Sequence, residues 1–235
     1  MNPTHKEVAD YYNKVWAGIE KKTSNKPNAR HFFTFKNLKK SGLKKNSKVL
    51  EIGCGSASLT GMIAKFVMDG KIVGADISNE TIELNRKKYA SVKNMEFHVS
   101  NMTDFMPNEI FDFIVIPDVL EHIPIEEHEN IFRTIGKITN ENSTLFINNP
   151  EPNLLAWYHK TQPETLQIID QPLHINYLSK LIYEIGFYIE SITPFAISFD
   201  VPEYQSIVCR RKSRFDNLKQ NSKARQVIVN AKSRI

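Results

Sequence analysis

Apolar and polar positions follow one another in blocks whose period changes along the chain. Val8, Tyr11, Tyr12, Val15, Trp16 and Ile19 recur at helical spacing and predict a helix over residues 5–20. A polar stretch from Lys21 to Asn28 separates it from a second helix over 29–42, marked by Phe32, Phe33, Phe35 and Leu38 and stopped by Ser41-Gly42. From Val49 onward, strand-like runs (Val49–Ile52, Ile72–Asp76, Met95–Val99, Phe111–Ile116, Thr144–Asn148) alternate with helical ones. Such alternation predicts βαβ units and a parallel sheet. Phe111–Ile116 is so rich in β-formers that it reads as a strand covered on both faces. A helix is expected from Glu126 to Ile138. Residues 150–174 carry Pro150, Pro152, Pro163 and Pro172 without clear periodicity, and are expected to make an excursion over the active-site edge of the sheet. A helix from Asn176 to Ile185, stopped by Gly186, precedes a closing antiparallel pair, Phe187–Ile192 and Glu203–Arg210.

The most informative run is Glu51-Ile52-Gly53-Cys54-Gly55-Ser56-Ala57-Ser58, a strand breaking into a glycine turn before a helix. Glycines there allow a sharp turn and a close approach of ligand to backbone. The next strand ends on Asp76, placed to accept both hydroxyls of a ribose. A glycine turn and an acid at successive strand ends form a nucleoside-type site at the carboxyl edge of an open sheet. A dinucleotide fingerprint would need a third glycine where Ser58 stands.

Glu51-x-Gly53-x-Gly55 instead resembles the first motif of the Rossmann-like S-adenosylmethionine-dependent methyltransferases of small-molecule type. The resemblance spans roughly residues 47 to 209. It implies an α/β fold, a seven-stranded mostly parallel sheet flanked by helices, with an N-terminal helical lid. It also implies S-adenosylmethionine as cofactor, with Glu51 near its amino group, Gly53, Cys54 and Gly55 in the turn, and Asp76 and Ile77 at the ribose. Asn101 and Met102 stand where the family meets the adenine; an Asn oxygen can accept from the adenine amine as an Asp does. Pro117-Asp118-Val119-Leu120-Glu121-His122-Ile123-Pro124 resembles the family's segment after the fourth strand, which makes Asp118 a further cofactor neighbour.

The chain has 235 residues, enough for one enzyme-sized domain with appendages. The expected organisation is a lid over 1–45, a methyltransferase domain over 46–212 and a basic tail over 213–235. Two cysteines, Cys54 and Cys209, give no disulfide framework and suggest a reducing compartment. No apolar leader or membrane-length span is present, so a cytoplasmic protein without a membrane partner is expected. The net charge of +5 divides unevenly. Residues 1–48 hold twelve Lys/Arg against three Asp/Glu, residues 49–209 ten against twenty-two, and residues 210–235 nine against one. The basic ends read either as solvated faces or as attraction for an anionic acceptor, with Lys21, Lys22, Lys26 and Arg30 grouped around the lid.

Methyl transfer from a sulfonium needs positioning and a nucleophile in its reactive form. A hydroxyl acceptor gains from a general base, and imidazole has a suitable pKa. His122 and Asp118, four residues apart at the end of the fourth strand, are the first candidates; His122 reads equally as a histidine bonded to backbone. His174, just before the late helix, is either a third catalytic candidate and pocket residue or a pin for the excursion. Asp170, Tyr11, Tyr12 and Trp16 are candidate acceptor-binding residues, although an aromatic stripe at this spacing also serves plain packing. His5 and His31 have nothing to select them. The histidines and cysteines show no zinc spacing, so no metal is expected.

These residues together predict methyl transfer to a small polar, anionic metabolite, phosphate-bearing or linked to a nucleotide or sugar, with oxygen favoured over nitrogen. An N-methyltransferase of a small amine or amino sugar is the alternative. An RNA methyltransferase is disfavoured, because the chain lacks an Asn/Asp-Pro-Pro-aromatic motif after strand four and its core is acidic. A non-catalytic S-adenosylmethionine-binding protein would need a degraded cofactor motif. Neither the acceptor nor the oligomeric state is legible.

Overall fold

The computed structural model describes residues 7–8, 10–14, 26–103, 105 and 107–212. Trp16, Lys21, Lys22 and the tail over 213–235 lie outside the described residues, as do most of the positions assigned to the first helix. Residues 10–14 are helical. The elements that follow are α1 (Ala29–Lys40), β1 (Lys48–Ile52), α2 (Ser58–Phe66), β2 (Lys71–Asp76), α3 (Asn79–Lys88), β3 (Met95–Val99), β4 (Phe111–Pro117), α4 (Ile125–Lys137), β5 (Thr139–Pro150), α5 (Pro152–Thr161), α6 (Ile175–Glu184), β6 (Phe187–Phe195) and β7 (Tyr204–Arg211). A 3₁₀ turn, Leu120–His122, links β4 to α4.

The seven strands form one sheet in the order β3-β2-β1-β4-β5-β7-β6. The first five are parallel, and β7 inserts antiparallel between β5 and β6. The chain reverses strand order between β1 and β4, so the carboxyl ends of β1, β2 and β4 open the crevice where a nucleotide-like ligand binds. The period-2 alternation of strands distributes the core to both faces. Val49, Phe113 and Val115 pack with Leu38 of α1 and Leu59 and Ile63 of α2. Leu50, Ile114 and Ile116 pack on the other face with Ile131 and Ile135 of α4 and Leu178 and Ile182 of α6.

Residues 150–174, read as an excursion without clear periodicity, contain α5 and a 3₁₀ turn, Pro163–Thr165. Pro152 sits at the first position of α5, where its missing N–H costs nothing, and Glu151 caps the helix by accepting from Leu154 N at 2.9 Å. A proline that reads as a breaker is here a helix start. The fifth strand is also longer than Thr144–Asn148, because Thr139 pairs with Phe111 before a register shift. In α1, the reciprocal cap between Asn28 and His31 fixes the start of the helix, with His31 Nδ1 accepting from Asn28 N at 3.1 Å. Burial, with Arg30 adjacent, lowers the His31 pKa to about 4, consistent with a neutral acceptor. Among the described residues no helix is long and apolar enough to cross a membrane.

Candidate active site

The glycine turn is built by hydrogen bonds to two elements, β2 and α3. Gly53 N and Cys54 N both donate to Ala75 O of β2, at 2.8 and 3.0 Å. Gly55 N donates to Asp76 Oδ2 at 2.8 Å, and Asn85 Nδ2 of α3 donates to Gly55 O at 2.7 Å. Gly53 has φ +73, and a Cβ added there would overlap the Val119 side chain, so both conformation and space demand glycine. Cys54 is buried, with its sulfur against Gly74.

Asp76 accepts from Ser78 N at 2.9 Å through its other oxygen. With the Ile77 amide also on this carboxylate, three of its roughly four acceptor sites are used and one remains for a ligand. Burial raises its pKa, while the amides of Ser78, Gly55 and Ile77 pull it back. Asp76, Ile77, Asn101 and Met102 line one cavity of about 130 Å3 together with Ile52 and Ile123. Asn101 Oδ1 is used locally, accepting from Thr103 N and Oγ1, so its approach to an adenine would be through whatever remains of its amide.

A second, larger cavity of about 670 Å3 adjoins the first, and Tyr12, Gly53, Asp118 and His122 line both. Its wall includes Tyr11, Glu51, Cys54, Gly55 and Asp170. Glu51 is 1% exposed and its Oε2 has no hydrogen-bond partner. Burial, opposed by the nearby Thr60 hydroxyl and helped by Asp76, pushes the Glu51 pKa up to about 8. A buried acceptor without a donor is costly, and a ligand ammonium would supply one. The orphan oxygen of Glu51, the glycine turn and the remaining acceptor site of Asp76 fit the amino group, chain and ribose of S-adenosylmethionine.

Asp118 adopts φ +54 at the end of β4. Its Oδ1 accepts from Asn148 Nδ2 at 3.0 Å, and its Oδ2 lies 3.1 Å from Arg30 Nε of α1. Asn148 Oδ1 in turn accepts from Ser206 Oγ, and Asn37 Nδ2 donates to that same hydroxyl. Helix α1 is therefore tied to the carboxyl ends of β4 and β5 and to the amino end of β7 by a chain of polar contacts.

His122 is oriented on both sides of its ring. Nδ1 donates to Ile169 O at 2.8 Å and lies 3.3 Å from Asp170 Oδ1, which requires Nε2 to carry the lone pair in the neutral ring. Gln167 Nε2 stands 3.1 Å from Nε2 and fits that lone pair as a donor. Burial lowers the His122 pKa, opposed by the Ile169 carbonyl and by Asp170 and Asp118. Tyr12 packs edge-on against this ring, with 6.2 Å between centroids.

Of the candidates read from the sequence, Asp118, His122, Asp170, Tyr11 and Tyr12 meet at the larger cavity. His174 does not. It is exposed before α6, where its carbonyl accepts from Tyr177 N and Leu178 N, and it lines neither cavity. Its place is that of a helix-start residue, the reading left open beside the catalytic one. Trp16 is outside the described residues. Sequence reasoning missed Gln167, Tyr204 and Glu121. Nothing local marks the first two; Glu121 stood inside the quoted segment after β4 but looked like one more solvated acid. Among the described residues, no His, Cys, Asp and Glu group gathers to hold a metal ion.

A sheet of this strand order, with a glycine turn after β1 and an acid ending β2, defines the Rossmann-like methyltransferase fold. Residues 43–185 match the family model described as a methyltransferase domain, and the chain belongs to that family. A protein of Invertebrate iridescent virus 6 that carries a methyltransferase name is 26% identical over 185 residues, covering 77% of this chain and 62% of the viral protein. The demethylmenaquinone methyltransferase of Staphylococcus aureus is 29% identical over 89 residues, 37% of each chain. The chain thus spans less than two thirds of these curated relatives. Among solved structures, magnesium protoporphyrin IX methyltransferase from Synechocystis PCC 6803 with bound S-adenosylhomocysteine superposes with a TM-score of 0.67 at 17% identity, covering 88% of this chain and 99% of that one.

Proposed function

We propose that this protein transfers a methyl group from S-adenosylmethionine to a small polar molecule held in the larger cavity. The observation that carries the reading is the junction of the two cavities at Gly53, Asp118 and His122. A cofactor lying along the glycine turn would meet an acceptor there, beside a histidine whose Nε2 carries the lone pair, held by Gln167 until an acceptor's proton displaces that amide. When bound, S-adenosylmethionine supplies a methyl carbon already activated by its sulfonium. The chain's residues then orient the partners and exclude water. Asp76 accepts from the ribose, Glu51 from the amino group, and His122 receives the proton that an acceptor must lose. Tyr12, among the helical residues 10–14, lines both cavities at the junction. That fits the lid role given to residues 1–45.

An anionic acceptor, suggested by the basic N-terminal part, would draw on Arg30. Its guanidinium is already engaged by Asp118 and packs over the Tyr204 ring at 5.4 Å. Incubation with labelled S-adenosylmethionine and pooled alcohols, amines, sugar phosphates and nucleotide sugars, read by mass spectrometry, tests the function. A methylated product found in any pool supports it, and no transfer to any pool from a protein that binds the cofactor would leave the binding-only alternative in its place.

A further inference from the structure

Glu121 and Glu203 are acids of the larger cavity for which the transfer just described has no use, and the setting of Glu121 is unusual. The side chain is 1% exposed, lines the cavity, and has no hydrogen-bond partner on either Oε1 or Oε2. His122 Nε2 lies 3.8 Å from Oε1. The other acids around it are occupied: Asp118 by Arg30 and Asn148, Asp170 by Gln167 N and the His122 ring. Glu203, on the same cavity wall, accepts from the amides of Ile197, Ser198 and Phe199.

A buried carboxyl with two idle acceptors is expensive unless a ligand completes it. Burial and the charge of Asp118 hold its pKa well above the usual carboxylate range. An anionic ligand would worsen this. A hydroxyl brings one donor, whereas an ammonium brings several donors together with the missing positive charge. Arg30 is the one Lys or Arg lining this wall among the described residues, and its charge is taken up by Asp118.

We propose that Glu121 selects the acceptor, and that the acceptor is a small primary or secondary amine held as an ammonium whose N–H groups donate to Glu121. The proposal rests on the methyl-transfer reading and narrows it to nitrogen. The bound ammonium gives one proton to His122 Nε2, at 3.8 Å from Glu121 Oε1. Its freed lone pair forms the bond to the methyl carbon as the carbon–sulfur bond breaks, and the bonding pair stays on sulfur as a neutral thioether. The product leaves as the methylated ammonium, and His122 returns its proton to solvent.

The test uses the full chain loaded with S-adenosylhomocysteine, and three probes that share one carbon skeleton: butylamine, butanol and butyrate. Binding is read by ligand-observed NMR, so no turnover is needed. Butylamine should bind at least roughly tenfold more tightly than the other two, the worth of one charge-assisted hydrogen bond. E121Q should abolish that preference while keeping wild-type affinity for S-adenosylhomocysteine by calorimetry, and E121D should retain its sign. Butanol or butyrate binding as well as the amine, no binding by any probe, or a preference that survives E121Q in a folded protein would overturn the proposal alone. A wild-type protein that does not bind S-adenosylhomocysteine would overturn it together with the methyl-transfer reading.

Discussion

Arg30 Nε of α1 lies 3.1 Å from Asp118 Oδ2 at the end of β4, yet the two partners are unequally buried, with 35% of the arginine side chain and 10% of the aspartate exposed. Removing the cation strands a buried carboxylate, whereas removing the anion leaves a guanidinium that water can reach. Arg30→Met should therefore destabilise by about 1–3 kcal/mol, below the range for fully buried pairs. Asp118→Asn should cost less than about 1 kcal/mol, because Asn tolerates the positive φ and still accepts from Asn148. Urea denaturation of both variants and the double mutant checks this ordering; equal losses would mean the pair is solvated in solution.

Asp76 bonds the glycine turn through Gly55 N and the start of α3 through Ser78 N. Asp76→Ala should weaken S-adenosylhomocysteine binding by one charge-assisted hydrogen bond, about 1.5–3 kcal/mol. Calorimetry on a folded variant reads this directly, and an unchanged dissociation constant would remove Asp76 from the ribose.

Gly53 combines φ +73 with a side-chain direction already filled by Val119. Gly53→Ala should cost roughly 1–3 kcal/mol for the backbone and more for the overlap. Adding Val119→Ala should recover the overlap but not the backbone cost. Full recovery, measured by thermal melting, would show that space alone demands the glycine.

Glu51 links binding to pH. Burial raises its folded pKa from 4.5 to about 8, so between those values the folded protein holds a proton that the unfolded chain has lost. The sign follows: this group makes the free protein less stable as pH rises from about 4.5 to about 8. A cationic amino group needs the carboxylate, so binding below about pH 8 must expel the proton. Affinity for S-adenosylhomocysteine should rise from pH 6 to 8, by at most about tenfold per unit, and level off above. Glu51→Gln should bind more weakly and show a flatter profile; a wild-type affinity constant across this range would place the amino group elsewhere.

His122, held through Nδ1 by Ile169 O and Asp170, should matter to rate more than to cofactor binding. With a methylated substrate in hand, His122→Ala should lower kcat by about 10²–10⁴-fold at unchanged S-adenosylhomocysteine affinity. A variant of near-normal rate would mean that the acceptor sheds its proton without this ring.

Periodicity, glycines and strand-end acids were enough to read the parallel core, the closing antiparallel pair, the glycine turn after β1 and the acid that ends β2, because those features depend on neighbours close in sequence. Alternation along β1 and β4 dictates two covered faces, and Gly53 and Gly55 dictate where the backbone must turn. What no local pattern carries is partnership across long separations. Arg30 reads as a free lid charge until the fold brings it to Asp118, and His174 reads as a pocket residue until α6 points it to solvent. Gln167 and Ile169 meet His122 across more than forty residues. Glu121 looks like an ordinary solvated acid in sequence. Only the tertiary structure takes water from it, leaving it 1% exposed, and it is that loss of water, with no protein donor in exchange, on which the proposed amine site rests.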